Sequence, residues 1–168
     1  MSWYYFAGFQ TRIGYNDVKS SPVYFYVKRG TDYDKYDGFP IPFEWEIINI
    51  GNAMNRTSGI FTAPKTGTYF FSFNGRVSIP SSSYYSFLSV SIYCPQWGRC
   101  GSGAGGDVAT AEQQYDSLSA QATLSLRAGD EVYVRIDGMS TGTYLTGDFT
   151  TFSGWLLEEN VAESLNIK

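Results

Sequence analysis

An alternation of apolar and polar residues with a period of two constrains this chain most. It is clearest over residues 117–126, where Leu or Ala occupies every second position and small polar residues lie between them. Side chains of a β-strand point alternately to opposite faces of a sheet, so this pattern predicts a strand with one buried face. After a turn over residues 127–130, Val132, Val134 and Ile136 resume the alternation. We therefore predict a hairpin here.

Similar short segments recur along the chain. They predict further strands over residues 4–9, 23–27, 68–73, 87–93 and 151–157. Clusters of Pro, Gly and Ser separate them, at residues 20–22, 39–42, 63–67 and 79–83. Many short strands joined by turns indicate an all-β sandwich or barrel. Residues 109–114 are compatible with a helical turn, and we expect the glycine-rich residues 101–106 to form a flexible hairpin loop.

One domain accounts for the length of 168 residues, which suffices for a hydrophobic core. We find no internal repeat and no linker that would divide the chain. The alternation stops near the C-terminus, so we expect a globular domain over residues 1–158 and a tail over residues 159–168.

Several predicted strands are aromatic on both faces. A sandwich in water needs only one apolar face per strand, so either self-association covers the second face or tyrosines there keep their hydroxyls wet. Gly154 lies inside a predicted strand, where a missing side chain indicates close approach by a bulky neighbour. The aromatic residues assigned to the core or to a subunit interface are Tyr69, Phe70, Phe71, Phe73 and Phe152.

Charge and hydropathy exclude two classes of partner. The formal net charge is -4, and Lys and Arg are scattered singly, so no basic stripe is present to bind nucleic acid. No run of about 18 apolar residues predicts a membrane span. The aromatic opening, residues 3–9, lacks the basic start and cleavage site of a signal peptide.

Cys94 and Cys100 are separated by five residues in a segment rich in Gly and Ser. This spacing suits a small disulfide ring at the tip of a hairpin, which would imply an oxidising compartment. The alternative is two free thiols in a mobile loop. Zinc is disfavoured because two thiolates need two more ligands, and the chain has no histidine.

Motifs along nearly the whole chain carry a family resemblance. Residues 59–73, GIFTAPKTGTYFFSF, resemble the central signature of the complement C1q globular-head family. Other residues look like that family's motifs in the family's order: Phe43, Asn49, Gly51, Leu124, Leu126, Gly129, Asp130, Val132, Phe152, Ser153, Gly154, Leu156 and Leu157.

The resemblance implies a ten-stranded jelly-roll β-sandwich of the tumour-necrosis-factor type that assembles as a compact homotrimer. It would assign the second apolar face to the trimer interface. It also implies a secreted recognition module, often carried on a collagen-like or coiled-coil stalk. No Gly-x-y repeat or heptad precedes Trp3.

The chemistry of most enzymes is missing. Without histidine, Ser-His-Asp and Cys-His arrangements are impossible. Glu44 with Glu46, and Glu158 with Glu159, are close in sequence, but we interpret them as solvated charges at strand ends. No glycine-rich nucleotide-binding motif opens a helix. We therefore expect a protein that is not an enzyme.

Carboxylates and one Asn are candidates for metal binding and modification. Asp32, Asp34 and Asp37 lie in one loop, whose spacing differs from an EF-hand, so a solvated loop is favoured over calcium. Some members of the resembled family bind calcium through loop carboxylates, and Asp130 and Asp148 are equally plausible there. Separately, residues 55–57, Asn-Arg-Thr, form an acceptor for N-glycosylation at Asn55.

These expectations combine into one functional hypothesis. We predict a secreted homotrimer that binds carbohydrate, microbial-surface or protein ligands through exposed loops, with Tyr33, Tyr36 and Trp97 as candidate ligand-binding residues. Calcium is a possible cofactor. The alternative is a structural trimerisation or extracellular-matrix module without a soluble ligand.

Overall fold

The computed structural model describes residues 21–81, 85–108 and 114–160. The strand predicted over residues 4–9 lies outside the described residues. So do nearly all of the helical turn predicted over residues 109–114 and of the tail predicted over residues 159–168. The division at residue 158 stays a prediction, and the last described strand ends one residue later, at Glu159.

Eleven strands and one short 3-10 helix make up the regular structure of the described residues. The strands are β1 (Tyr24–Lys28), β2 (Trp45–Ile50), β3 (Met54–Asn55), β4 (Ile60–Thr62), β5 (Gly67–Ile79), β6 (Tyr85–Cys94), β7 (Gly98–Val108), β8 (Gln114–Leu126), β9 (Glu131–Met139), β10 (Tyr144–Leu145) and β11 (Thr151–Glu159). The 3-10 helix, Gly147–Phe149, precedes β11. The described residues contain no helix long and apolar enough to cross a membrane.

Two antiparallel sheets face each other, so the predicted sandwich is confirmed. The first sheet has the order β10-β5-β11-β1-β2, with β8 also paired to β5, and the second has the order β3-β4-β9-β6-β7. Phe61 of the second sheet packs between the layers against Phe71 of the first, with ring centroids 5.1 Å apart. The described residues contain eleven strands, one more than the ten that the resemblance implies, and two of the eleven, β3 and β10, are only two residues long.

Gly154 lies at a tightly packed point of the core. A Cβ atom at this position would lie 2.6 Å from Phe71 Cδ1 and 2.7 Å from Phe25 Cε1. Carbon atoms pack at about 3.5–4.0 Å, so no side chain fits without movement of these rings. The close approach predicted for Gly154 is confirmed.

The predicted hairpin of residues 117–126 and 132–136 is wrong. β8 pairs with β5 in the first sheet, whereas β9 pairs with β6 in the second. The turn between them therefore crosses from one layer to the other, and Gly129 adopts a positive φ of 93° there. Both strands bury their apolar face in the same core from opposite sides, and the alternation reveals the buried face of a strand but not its partner.

The glycine-rich residues 101–106 are not the predicted loop but belong to β7, which pairs along β6. A Cβ atom on Gly101 or Gly103 would meet the carbonyl oxygens of Gln121 and Ser119 on β8. Glycine therefore allows the edges of the two sheets to approach closely. Cys94 and Cys100 form a disulfide that closes the β6–β7 hairpin, as predicted.

Candidate functional site

The outer face of the first sheet carries a continuous apolar surface. Register places Tyr24 between Ile50 and Trp155, and Trp155 lies opposite Phe70. Since Phe25 points into the core, its neighbours in β1 point outward. We call the following six residues the apolar face: Tyr24, Tyr26, Ile48, Ile50, Phe70 and Trp155.

The apolar face is open to solvent in a single chain. Trp155 is 41% exposed and Tyr24 and Tyr26 are 38% exposed each, and a groove of about 460 Å³ runs along them and Ile48. The rings of Phe70 and Trp155 are in contact in a tilted arrangement, with centroids 4.7 Å apart. Wet tyrosine hydroxyls do not account for an exposed tryptophan and isoleucines, so this surface has the composition of an interface.

The aromatic residues selected from the sequence divide between the two faces of the first sheet. Tyr69, Phe71, Phe73 and Phe152 are fully buried, whereas Phe70 lies on the apolar face. Tyr69 donates a hydrogen bond from its hydroxyl to the Lys65 carbonyl at 2.8 Å. Burial raises the pKa of Tyr69 to about 12.

A cluster of charged residues lies on the outer face of the second sheet. The Asp137 side chain is 6% exposed, and its carboxylate forms ion pairs with Arg99 Nε at 2.8 Å and Arg135 Nε at 3.1 Å. The Arg135 guanidinium also stacks over the Tyr93 ring at 3.8 Å. We call Arg99, Arg135 and Asp137 the arginine cluster. Charge-assisted hydrogen bonds and stacking fix the orientation of its guanidinium groups.

Tyr36 lies beside the arginine cluster, together with Asp37, on a cavity of about 440 Å³. The Tyr36 side chain is 61% exposed. Planar polar groups next to an exposed ring can hydrogen-bond to hydroxyl groups and stack on an apolar surface. Sequence reasoning selected Tyr36 but missed the cluster. The available signal was the two-residue spacing of Arg135 and Asp137, which places both on one face of β9.

Trp97 and Tyr33 lie elsewhere. Trp97, 55% exposed, sits in the β6–β7 turn and lines a separate cavity of about 450 Å³ with Asp130. Tyr33 is only 6% exposed, so its assignment to an exposed surface is wrong. Its backbone bridges to Leu145, and Arg29 stacks over its ring at 4.7 Å. The three predicted ligand-binding residues therefore do not form one surface.

Four of the five candidate metal-ligating carboxylates have partners within the chain. Asp32, Asp37 and Asp130 accept backbone N–H bonds from Gly147, Phe39 and Arg127, and Asp148 pairs with Lys28 at 3.6 Å. Across residues 21–81, 85–108 and 114–160, no three His, Cys, Asp or Glu side chains form a group able to hold a metal ion. Calcium binding, including any role of Asp34, stays a prediction.

Glu44 has a structural environment and does not resemble a catalytic acid. Its carboxylate accepts hydrogen bonds from Gly30 N and Thr31 Oγ1 at 2.7 Å each and pairs with Arg29 at 3.0 Å. Burial acts to raise the pKa of Glu44, but these hydrogen bonds and the Arg29 charge outweigh it and hold the pKa below its ordinary value. In the other pair of carboxylates, Glu158 with Glu159, the Glu159 side chain forms an ion pair with Lys65 at 2.7 Å.

Asn55 is exposed at the end of β3. Its Oδ1 atom accepts hydrogen bonds from Thr57 N at 3.1 Å and Ser58 N at 3.2 Å, which closes a turn. N-glycosylation of Asn55 stays a prediction.

Comparisons with known proteins agree with this architecture. The sequence model of the C1q domain matches residues 24–157. Among solved structures, the chain is similar to the globular domain of zebrafish complement 1qA protein, with 20% sequence identity and a TM-score of 0.59. The match covers 82% of this chain and 99% of the zebrafish chain. At this identity the likeness shows the fold, and the jelly-roll sandwich is confirmed.

Proposed function

The chain belongs to the C1q domain family, and from this premise we propose that it is a secreted, homotrimeric recognition module. Its ligands would be carbohydrates, microbial surfaces or proteins, bound through exposed loops. C1q domains generally assemble as trimers, bind ligands and lack enzymatic activity. Trimer formation, ligand binding and the absence of catalysis in this chain are parts of the proposal.

The apolar face is the observation that carries the proposal. If three copies of the chain packed these faces against one another, Trp155, Tyr24 and the two isoleucines would be removed from water. This burial would stabilise the assembly by roughly 25 cal/mol for each Å² of apolar surface buried. Stable interfaces have an apolar centre rich in aromatic side chains. Two further copies of the same chain are the occupants that fit the family's general assembly.

The arginine cluster and Tyr36 supply the surface that we assign to ligands. They lie on the outer face of the second sheet, on the opposite side of the sandwich from the apolar face. Trimerisation through the apolar face would leave this surface open on each subunit. Three weak sites held together would then bind a repetitive surface with avidity.

Export is supported by two observations. Members of the family are typically secreted, and the disulfide between Cys94 and Cys100 is of a type that persists in oxidising compartments. A glycan on Asn55 would agree with the same route.

Molar mass in solution tests the assembly. We expect the wild type to have three times the 18.7 kDa mass of one chain. Trp155→Glu should shift it to the monomer, because an interfacial tryptophan contributes at least about 2 kcal/mol. The matched control is Trp97→Glu, which changes another exposed tryptophan outside the apolar face and should leave the trimer intact. A wild type that is monomeric at high concentration contradicts the proposed assembly.

A ligand panel tests recognition separately. Trimers are applied to glycans, bacterial surfaces and candidate proteins, with calcium and with a chelator. We expect binding that Arg99→Gln and Tyr36→Ala weaken while the mass of the trimer stays unchanged. If the trimers bind nothing in either condition, the structural role in a matrix is favoured over recognition. A difference between the two conditions would show that calcium takes part.

A further inference from the structure

We propose that a cavity around Arg76, on the outer face of the first sheet, is a second binding site, for a carboxylate on a small, hydroxyl-rich ligand of sugar size. The cavity has a volume of about 640 Å³, within the range of about 300–1,000 Å³ usual for small-molecule sites. None of its lining residues belongs to the apolar face or to the arginine cluster. The inference therefore rests on a different set of residues from the function proposed above.

The Arg76 guanidinium is held in place by its neighbours. Its Cζ atom lies 3.5 Å from the Phe149 ring centroid and 4.6 Å from that of Tyr115. Its Nε atom donates a hydrogen bond to Thr146 Oγ1 at 3.2 Å. Immobilising a long side chain normally opposes binding, and here most of that entropy is already lost before a ligand arrives.

The terminal nitrogens of Arg76 remain available to a ligand. They have no hydrogen-bond partner in the described part of the chain. The planar fork of a guanidinium matches the two oxygens of a carboxylate. Across the strands, Ser117 lies opposite Arg76 and Ser119 lies opposite Asn74, and all four line the cavity. These hydroxyl and amide groups can bond to hydroxyl groups of the same ligand.

The balance of charge favours a single negative charge. Asp116 is paired with Val77, whose side chain is fully buried, so Asp116 belongs to the other face of the strands. Asp148 is paired with Lys28 at 3.6 Å. Asp116 nevertheless lines the cavity, so Arg76 and Asp116 are the two charged residues of its lining among the described residues. A carboxylate would pair with the Arg76 guanidinium, whereas a phosphate dianion would bring a second negative charge close to the Asp116 carboxylate.

Two rings complete a site of saccharide type. Tyr115 is 54% exposed and Phe149 is 53% exposed, and both line the cavity. Exposed rings next to polar groups can pack against the nonpolar C–H side of a pyranose ring. The predicted ligand is thus a sugar acid and not a free small carboxylate.

Saturation-transfer NMR with D-glucuronate and D-glucose tests the site on the assembled protein. We expect saturable binding of D-glucuronate at millimolar concentrations and binding of D-glucose at least about tenfold weaker. Arg76→Gln should weaken D-glucuronate binding at least about tenfold. The control Arg127→Gln removes the same charge from an exposed turn and should leave binding unchanged.

A second variant separates loss of the site from loss of the fold. Ser119→Tyr fills the cavity from an exposed position without a change in charge, and it should abolish D-glucuronate binding while the circular dichroism spectrum is preserved. Three results would each overturn the proposal: no saturable binding to the wild type, full binding by Arg76→Gln, or equal binding of D-glucose. Arg99→Gln should not affect this binding, so failure of either site can be recognised independently.

Discussion

Replacing Gly154 with alanine should destabilise the protein through overpacking of its core. The added methyl group would lie within 2.9 Å of three ring atoms of Phe71 and Phe25. Ordinary contacts of about 3.5–4.0 Å would require these rings to move by about 1 Å. The rings cannot move freely, because Phe25 packs against Phe61 at 5.4 Å and Phe152 at 5.1 Å. We expect a loss of about 1–3 kcal/mol in the free energy of unfolding.

Gly138→Ala is the matched control, since this glycine also lies inside a strand and has no positive φ. A Cβ atom there would be no closer than 3.3 Å to its neighbours, Phe87 Cε2 and Ser89 Oγ. Alanine is preferred over glycine in a strand interior by about 0.5–1 kcal/mol, so Gly138→Ala should be neutral or stabilising.

The assay is urea unfolding followed by tryptophan fluorescence. All variants are compared at one protein concentration, because the proposed assembly would couple the stability of a subunit to concentration. Phe25→Leu should destabilise alone but partly rescue Gly154→Ala, with a coupling of at least about 0.5 kcal/mol. The overpacking argument is refuted if Gly154→Ala is as stable as Gly138→Ala, or if the double variant is strictly additive.

Three further predictions concern titration and the disulfide. Tyr69 has a pKa of about 12 in the folded protein and about 10 when unfolded, so its ionisation should leave the free energy of unfolding unchanged below pH about 10 and lower it by about 2–3 kcal/mol as pH rises to about 12. Tyr69→Phe should remove this loss of stability with pH in alkaline urea titrations. A loss that persists in Tyr69→Phe would contradict the assignment. Replacing Cys94 and Cys100 together with serine should cost about 2 kcal/mol, measured by equilibrium unfolding, and no cost would show that the ring does not constrain the unfolded chain. The pKa of Glu44 is lowered in the folded protein, so Glu44 contributes to the free energy of unfolding above its unfolded pKa of about 4.3, and this contribution is lost as pH falls through the folded pKa. Glu44→Gln should reduce the loss of stability in acid. An unchanged pH profile of stability would assign the loss to other groups.

The buried half of the sandwich could be predicted from the sequence because the alternation and the burial have the same period. The residues opposite Ala120 and Ala122 in β5 are Phe73 and Phe71, and all four side chains face the core. Gly154 was identified by the same logic, as a gap in a strand that needed a large neighbour. Local patterns are sufficient for properties of this kind, which depend on one strand and its own faces.

Features that depend on two distant segments were missed. The partner of β8 is β5, although β9 follows directly in sequence. Strand β7 contains glycines because β8 passes close to it, and glycine has a low intrinsic preference for strands, so the composition indicated a loop. The arginine cluster joins Arg99 of β7 to Asp137 of β9 across the strand between them. Apart from the two-residue spacing of Arg135 and Asp137 in β9, these contacts leave no short-range pattern in the sequence.

The position of the arginine cluster and the apolar face on opposite sides of the core has a practical consequence. Substitutions at Arg99, Arg135 or Tyr36 contact no member of the apolar face, so their effects on stability and assembly should add independently to those of changes there. In the proposed trimer, this layout would allow the binding specificity to diverge while the quaternary structure is retained. It would also make the second sheet of the proposed trimer a suitable surface for randomised libraries, displayed in three copies on an otherwise constant scaffold.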